Sequence, residues 1–190
     1  MAPPVPVSLA DERLILQPWR DADAAELLAA VRESVASVGR WLPWCNAGYD
    51  LDRATSWTAH CRAGWDEGEQ FAFAVRAAAD GRLLGGCGLN QLTPAHRSAN
   101  LGYWVRESRQ RQGVAVAAAR LVAGFGFAEL GLIRIEIVTL PGNHASRRVA
   151  EKLGAGFEGM ARHRLWAWGR AHDATVYALV PADLDLPPPA

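Results

Sequence analysis

Residues 108–131, "SRQRQGVAVAAARLVAGFGFAELG", set a burst of Arg and Gln against one glycine and then against a long run of small and apolar residues. The run predicts a helix over 114–130, ended by Gly131, because glycine takes the left-handed turn that closes a helix at no steric cost. A surface helix alternates a polar and an apolar face. This one hardly does, so Ala117, Leu121, Val122 and Phe125 are expected to pack beneath a sheet. Just before it, across Gln110-Arg111-Gln112-Gly113-Val114-Ala115, the chain leaves a strand, turns at Gly113 and starts the helix. The first N–H groups of a helix lack intrahelical partners and sit at the positive end of its dipole. They suit phosphate or pyrophosphate oxygens, and Gly113 lets such a ligand approach the backbone without a Cβ in the way. Arg109 and Arg111 add counter-charge. From these six residues alone, a solvated basic turn capping a buried helix is an equal reading.

Toward the N-terminus, "QFAFAVRA" (70–77), "RLLGGCGLNQLT" (82–93) and "ANLGYWVR" (99–106) read as strands joined by short turns, hence an antiparallel meander. Gly85, Gly86 and Gly88 mark a bulge or a close backbone approach, and "GGCG" precedes no helix, so it is read as structure and not as a phosphate loop. Farther out lie a strand at "ERLILQPW", a helix at "DADAAELLAAVRES" started by Asp21 and Asp23, a packed loop over 35–50, and a helix over 51–68. Toward the C-terminus, "LIRIEIVTL" alternates as a strand should. "HASRRVAEKLG" is a helix with Asn143 at its cap and Gly154 at its stop, and two strands, "FEGMARHRLWAWG" and "AHDATVYALV", finish the fold. Residues 1–180 therefore read as one α+β domain with a mixed sheet flanked by helices, and the proline-rich tail 181–190 is expected to fray.

Twenty basic and twenty acidic residues balance, which leaves no field to hold a nucleic-acid backbone or an anionic membrane. No run of 18 apolar residues occurs and "MAPPVPVSLADERL" has no secretory pattern. Cys45, Cys61 and Cys87 are an odd number without CxxC spacing, so a reducing, cytoplasmic compartment is the simpler reading. The five histidines make no HxxxH or HExxH pattern, and no metal is expected.

With these motifs in order, the chain resembles the GNAT acyltransferase superfamily. Gln110–Ala115 matches its acyl-CoA loop, Gln/Arg-x-x-Gly-x-Gly/Ala; "LGYWV" precedes the loop, and "NHASRRVAEKLGAGFEG" follows the next strand. With "WLPW" near the front, the likeness extends from about Leu14 to about Val180 and is nearest to the ribosomal-protein N-terminal acetyltransferase (Rim) group. The resemblance implies a splayed sheet with acetyl-CoA as acyl donor in the gap. Pantetheine would pair with the backbone near Val105 and Arg106. The pyrophosphate would sit on Arg111, Gln112, Gly113, Val114 and Ala115, beside Gln110. It also implies that Asn143 bonds the pantetheine arm and that Ser146 protonates the departing thiolate, roles favoured over the alternative that Asn143 only caps the helix and Ser146 only occupies its first turn.

The chain departs from the family at one position: where described members carry a glutamate base on the strand after "FEG", Leu165 stands here. His163, Asp173 and Glu107 are the candidate replacements, with His163 favoured by its ordinary titration range. An α-amine, with a reference pKa of about 7.7 to 8.0 against about 10.4 for lysine, reacts most readily without a strong base. A protein or peptide N-terminal α-amine is therefore the expected acceptor. Trp41, Trp44, Trp104 and Trp166 could wall its pocket or simply fill core. Cys87 has no evident His partner, so attack is expected to be direct. The alternatives are a small-molecule N-acetyltransferase and a module that binds acyl-CoA without turnover. One chain leaves a homodimer open.

Overall fold

The computed structural model describes residues 7–188; the start of the N-terminal segment and the last two residues of the tail lie outside the described residues. Eight strands form one sheet in the order β1-β2-β3-β4-β5-β6-β8-β7. They are β1 (Leu9–Ala10), β2 (Leu14–Pro18), β3 (Phe71–Ala77), β4 (Leu83–Thr93), β5 (Ser98–Val105), β6 (Arg134–Thr139), β7 (Gly156–Ala167) and β8 (Arg170–Leu179). The meander expected from the short turns is present as antiparallel β2–β3–β4–β5. Only β5 and β6 run parallel, as a crossover through a helix requires.

That parallel pair is short. Ser98, Ala99 and Asn100 pair with Arg134, Ile135 and Glu136. Beyond Asn100 the strands part, because β6 continues on β8 through Ile137–Thr139 while β5 continues on β4 up to Val105. The sheet is therefore splayed, with the second half of β5 presenting an unpaired edge to the gap.

Helices α1 (Ala24–Glu33) and α2 (Leu51–Glu67) lie over one face, and α3 (Val114–Ala128) and α4 (His144–Leu153) over the other. Each face has its own apolar core. α3 is buried along most of its length: Val122 and Phe125 are inside as expected, whereas Ala117 and Leu121 stay half-buried. Its small residues have a reason. A Cβ at Gly126 would lie 2.9 Å from Leu89 and 3.0 Å from Ile135, so the helix rests directly on β4 and β6.

Two local readings change, at the start of α1 and in the tail, while the front loop is packed as expected. Asp21–Asp23 is a 3-10 turn ahead of α1, where the buried Asp23 carboxylate pairs with Arg76 at 2.9 Å. The front loop over 35–50 is a chain of turns that anchors itself by burying Cys45 and Tyr49. The tail does not fray at its start: Pro181–Leu184 forms a 3-10 turn, Leu184 joins the core beside α3, and Leu186 packs against it. Two leucines, spaced to face the same core, outweigh the proline-rich composition there.

Candidate active site

A cleft of about 1340 Å³ opens where β5 and β6 part, and residues from both faces of the sheet line it. On the α3 face it begins with the loop that the sequence singled out. Arg111 and Gly113 both have left-handed backbone, φ 61° and 79°, which turns the chain sharply into α3. The first i→i−4 bond of α3 runs from Ala117 N–H to Gly113 C=O, at 3.1 Å. The N–H groups of Val114, Ala115 and Val116 precede it, no side chain caps them, and all three residues line the cleft with Arg109, Gln110 and Arg111. Uncapped N–H groups at the positive end of a 15-residue helix have the chemistry to receive an anion.

The loop is held in that shape from below. Glu33 at the end of α1 accepts from Ser108 N–H (2.8 Å), Ser34 Oγ accepts from Glu107 N–H (3.0 Å), and Gln110 Nε2 donates to Ser37 Oγ (3.1 Å). Arg13 donates to Gln112 C=O at 2.7 Å. The Arg106 guanidinium also pairs with Glu33, and together with Ser108 it holds that carboxyl well below its ordinary range, at about 2. None of these four clamps was legible in the sequence, because each joins segments roughly 70 to 100 residues apart.

The unpaired edge of β5 supplies the second feature. Arg106 N–H donates to Leu84 C=O at 2.8 Å, and strand alternation then turns the polar groups of Trp104 and Gly102 toward β4. Those of Leu101, Tyr103 and Val105 face the opening. Val105 C=O is taken by Gln110 Nε2 at 3.0 Å, which leaves the Val105 N–H directed into the gap.

At the start of α4, Asn143 caps the helix, its Oδ1 accepting from Ser146 N–H at 3.1 Å. Both side chains line the cleft. Across from them, Tyr103 Oη lies 3.0 Å from Ser146 Oγ and 3.1 Å from Ser146 C=O. Burial pushes the Tyr103 phenol well above its ordinary range, and the bond to Ser146 offsets this only in part. Tyr103 therefore stays protonated at any working pH. The sequence signal that could have found it is the "GYW" motif itself, read with period two: Tyr103 and Trp104 must face opposite sides of the sheet.

On the α1–α2 face the cleft is aromatic. Trp104 lies across Gly86, where a Cβ would come within 2.7 Å of its Nε1. Trp44 meets Trp104 edge-on, with ring centroids 5.7 Å apart. Trp41 comes within 3.8 Å of where a Gly142 Cβ would stand, next to Asn143. Trp166 on β7 closes the outer wall, 76% exposed. Asn90 and Asn100, joined by a 2.9 Å amide hydrogen bond, end the floor where β5 and β6 meet.

Residues 13–156 match the acetyltransferase (GNAT) domain family. The chain belongs to the GNAT acetyltransferases. YoaA of Bacillus subtilis (strain 168), an N-acetyltransferase, is 30% identical over 90% of this chain and 96% of its own. YdaF of the same organism, whose name places it provisionally among ribosomal N-acetyltransferases, is 38% identical over 53% of this chain, which spans only 55% of YdaF. Mycobacterium smegmatis RimJ, solved in complex with a CoA disulfide, superposes with a TM-score of 0.82 at 29% identity, covering 97% of this chain and 92% of RimJ.

In this GNAT domain not every expected residue reaches the cleft. Arg106 does not line it, since its N–H is spent on β4 and its side chain on Glu33 and Leu83 C=O. Gln112 lies outside too, its carbonyl taken by Arg13 and its amide by Ser108 C=O. His163 is exposed, at φ 50° in the bulge where β7 slips against β8 between Ala161 and Leu165, and Asp173 is engaged there by His163 N–H at 2.9 Å. Neither lines the cleft, and nor does Glu107. Leu165 does, so an apolar side chain occupies the wall on which Rim-like sequences carry glutamate. His60 of α2, not among the expected site residues, lines the cleft beside Trp57, with ring centroids 5.7 Å apart.

Among the described residues no group of three or more His, Cys, Asp or Glu could hold a metal ion, and no helix is long and apolar enough to cross a membrane.

Proposed function

We propose that this GNAT acetyltransferase takes acetyl-CoA as donor and passes the acetyl group directly to a primary amine, with the α-amine of a protein or peptide N-terminus as acceptor. The observation that carries this is one cleft through a splayed sheet. Its α3 face offers uncapped N–H groups of Val114–Val116 for the pyrophosphate, and its other face offers a walled space for an acceptor. The two compartments meet at the open edge of β5.

In this reading the amine approaches from the tryptophan side and attacks the thioester carbonyl. The Val105 N–H, held by the strand, stabilises the oxyanion that forms. Asn143 bonds the pantetheine arm. The C–S bond breaks with its electron pair going to sulfur, and Ser146 Oγ donates its proton to that thiolate. The Tyr103 hydroxyl makes this easier. Its single proton can go to Ser146 C=O, in which case Ser146 must spend its own proton on Tyr103 Oη. It can instead go to Ser146 Oγ, which frees the serine proton for sulfur. The proton lost by the amine reaches water in the open cleft and returns to Ser146. With Leu165 on the wall, where the resemblance expects a glutamate, the amine has to arrive neutral, which favours an α-amine over a lysine side chain by their ordinary pKa values.

CoA-thiol release tests this reading. Purified protein and acetyl-CoA are offered peptides with free N-termini, the same peptides with blocked N-termini and one internal lysine, aminoglycosides and spermidine. Turnover confined to free N-termini is expected. Turnover confined to the small molecules would move the enzyme to another acceptor class, and a rise in melting temperature with acetyl-CoA but no turnover on any amine would leave a binding module.

A further inference from the structure

Six of the eight tryptophans of this chain line the cleft, from five separate segments: Trp19 after β2, Trp41 and Trp44 in the front loop, Trp57 on α2, Trp104 on β5 and Trp166 on β7. Core filling explains Trp19, which is 3% exposed. It does not explain Trp44, Trp57 and Trp166, which are 39%, 39% and 76% exposed at the same opening. Large apolar side chains gathered at one mouth mark a surface that receives an apolar group.

The placement of that group follows from the strand. Tyr103 and Val105 send their backbone groups into the gap where the thioester must lie, and Trp104 stands between them with its ring on the opposite face from the α3 loop. An amine within reach of the gap therefore carries its first side chain against Trp104, Trp44 and Leu165. The ionic partners on this face are sparse. The carboxylates lining the cleft are Asp50 and Asp52; Asp50 caps α2 by accepting from Arg53 N–H at 2.9 Å, and Arg53 lines the cleft with them, so the acids at this face come with a cation among them.

Resting on the α-amine reading above, we infer that the acceptor is a polypeptide whose N-terminal residue has a large apolar side chain, of the size of Met, Leu or Phe, and that Trp104 and Trp44 select it. Alanine or serine at that position leaves the indole faces in water. The larger residue buries an additional side chain's worth of apolar surface, which corresponds to about 10- to 100-fold in kcat/KM.

The test uses the full chain, acetyl-CoA and a set of peptides identical except for Ser, Ala, Met, Leu or Phe at the first position, with acetylated product read by mass spectrometry. Met, Leu and Phe are expected to exceed Ser and Ala by about tenfold or more in kcat/KM, and Trp44→Ala to shrink that ratio to about threefold or less. Trp44 is the site of choice because it is partly exposed on a loop, so its replacement is tolerated better than a change at Trp104. Equal or better rates with Ser and Ala overturn the selectivity and leave the α-amine acceptor standing. A preference for large residues that survives unchanged in Trp44→Ala with Trp104→Leu also overturns it, since other residues then make the choice. Blocked peptides with one internal lysine and spermidine are run alongside, and turnover confined to either sinks both readings together.

Discussion

Replacing Tyr103 by Phe separates a proton-positioning role from mere packing. The ring stays in place, so the fold loses only the hydroxyl and its contacts to Ser146 Oγ at 3.0 Å and to Ser146 C=O at 3.1 Å. Those contacts share one proton, so the wild type makes two bonds only if Ser146 donates the second. Only the bond from Tyr103 to Ser146 Oγ is compatible with Ser146 giving its proton to sulfur; it strengthens as Oγ takes on negative charge, and about 2 kcal/mol for a hydrogen bond to a charged group, lost in the transition state, corresponds to roughly 30-fold in kcat. Donor binding draws on the α3 loop and on Asn143, so KM for acetyl-CoA is expected to move by less than about threefold. The decisive comparison is the double variant. Ser146→Ala removes the acid itself, at about 100-fold or more, and if Tyr103 acts only through Ser146, then Tyr103→Phe costs nothing further on that background. Steady-state kcat for wild type, both single variants and the double variant completes the cycle. The same 30-fold loss with and without Ser146 would refute the reasoning, as would an effect seen only in KM.

Three other changes probe the loop, the clamp and the missing carboxylate. Gly113→Ala puts a side chain at φ 79°, where nothing closer than Arg13 at 3.7 Å obstructs it, so it is expected to cost about 1 to 2 kcal/mol of conformational strain, seen as a melting temperature lower by a few degrees. It should also raise KM for acetyl-CoA about tenfold, by standing where the donor approaches the backbone; an unchanged KM would remove Gly113 from the donor site. The Glu33 carboxyl titrates at about 2 in the folded chain because of the Arg106 guanidinium, below its ordinary 4.5, so its contribution to stability is present above about 4.5 and fades as pH falls toward 2. Glu33→Gln should accordingly lower the melting temperature at pH 6, by the equivalent of about 1 kcal/mol or less for so solvent-screened a pair, and hardly at all at pH 2.5; a loss equal at both pH values argues against the assignment. Leu165→Glu returns a carboxylate to the acceptor wall and is expected to raise kcat/KM toward peptide α-amines several-fold at pH 6.5, with the gain vanishing near pH 9, where the amine is already neutral. No gain at any pH would show that deprotonation does not limit the rate.

The strands, the helices and the anion loop were legible because each is written in local chemistry. Period-two alternation over 132–140, Asn143 ahead of a helical run, and Gly113 and Gly154 in left-handed turns all act within a few residues of themselves. What the sequence hid depends on partners distant along the chain. Arg106 stands next to the open edge, but which of two neighbouring residues faces the gap is decided by the register of β5 on β4, and a shift of one residue exchanges them. His163 is a suitable residue type in the wrong strand geometry, since it sits in a bulge between Ala161 and Leu165 and does not line the cleft. The tail carried two apolar anchors, Leu184 and Leu186, that a composition argument averages away.

The same distinction separates the two halves of the cleft. In the proposed reading the donor is recognised by backbone N–H groups at a helix start and along one strand edge, and backbone geometry follows from glycines and caps that a single sequence displays. Acceptor recognition is built from side chains on the front loop, α2, β5 and β7, which meet only when the sheet is assembled. Trp44 and Trp166 are over a hundred residues apart, and neither has a local pattern that distinguishes it from a core tryptophan. What distinguishes them is exposure at a shared opening. On this argument substitutions along the tryptophan wall change which amine is acetylated while leaving the donor loop intact, and substitutions in the clamps from Arg13, Glu33, Ser34 and Ser37 weaken donor binding toward every acceptor alike.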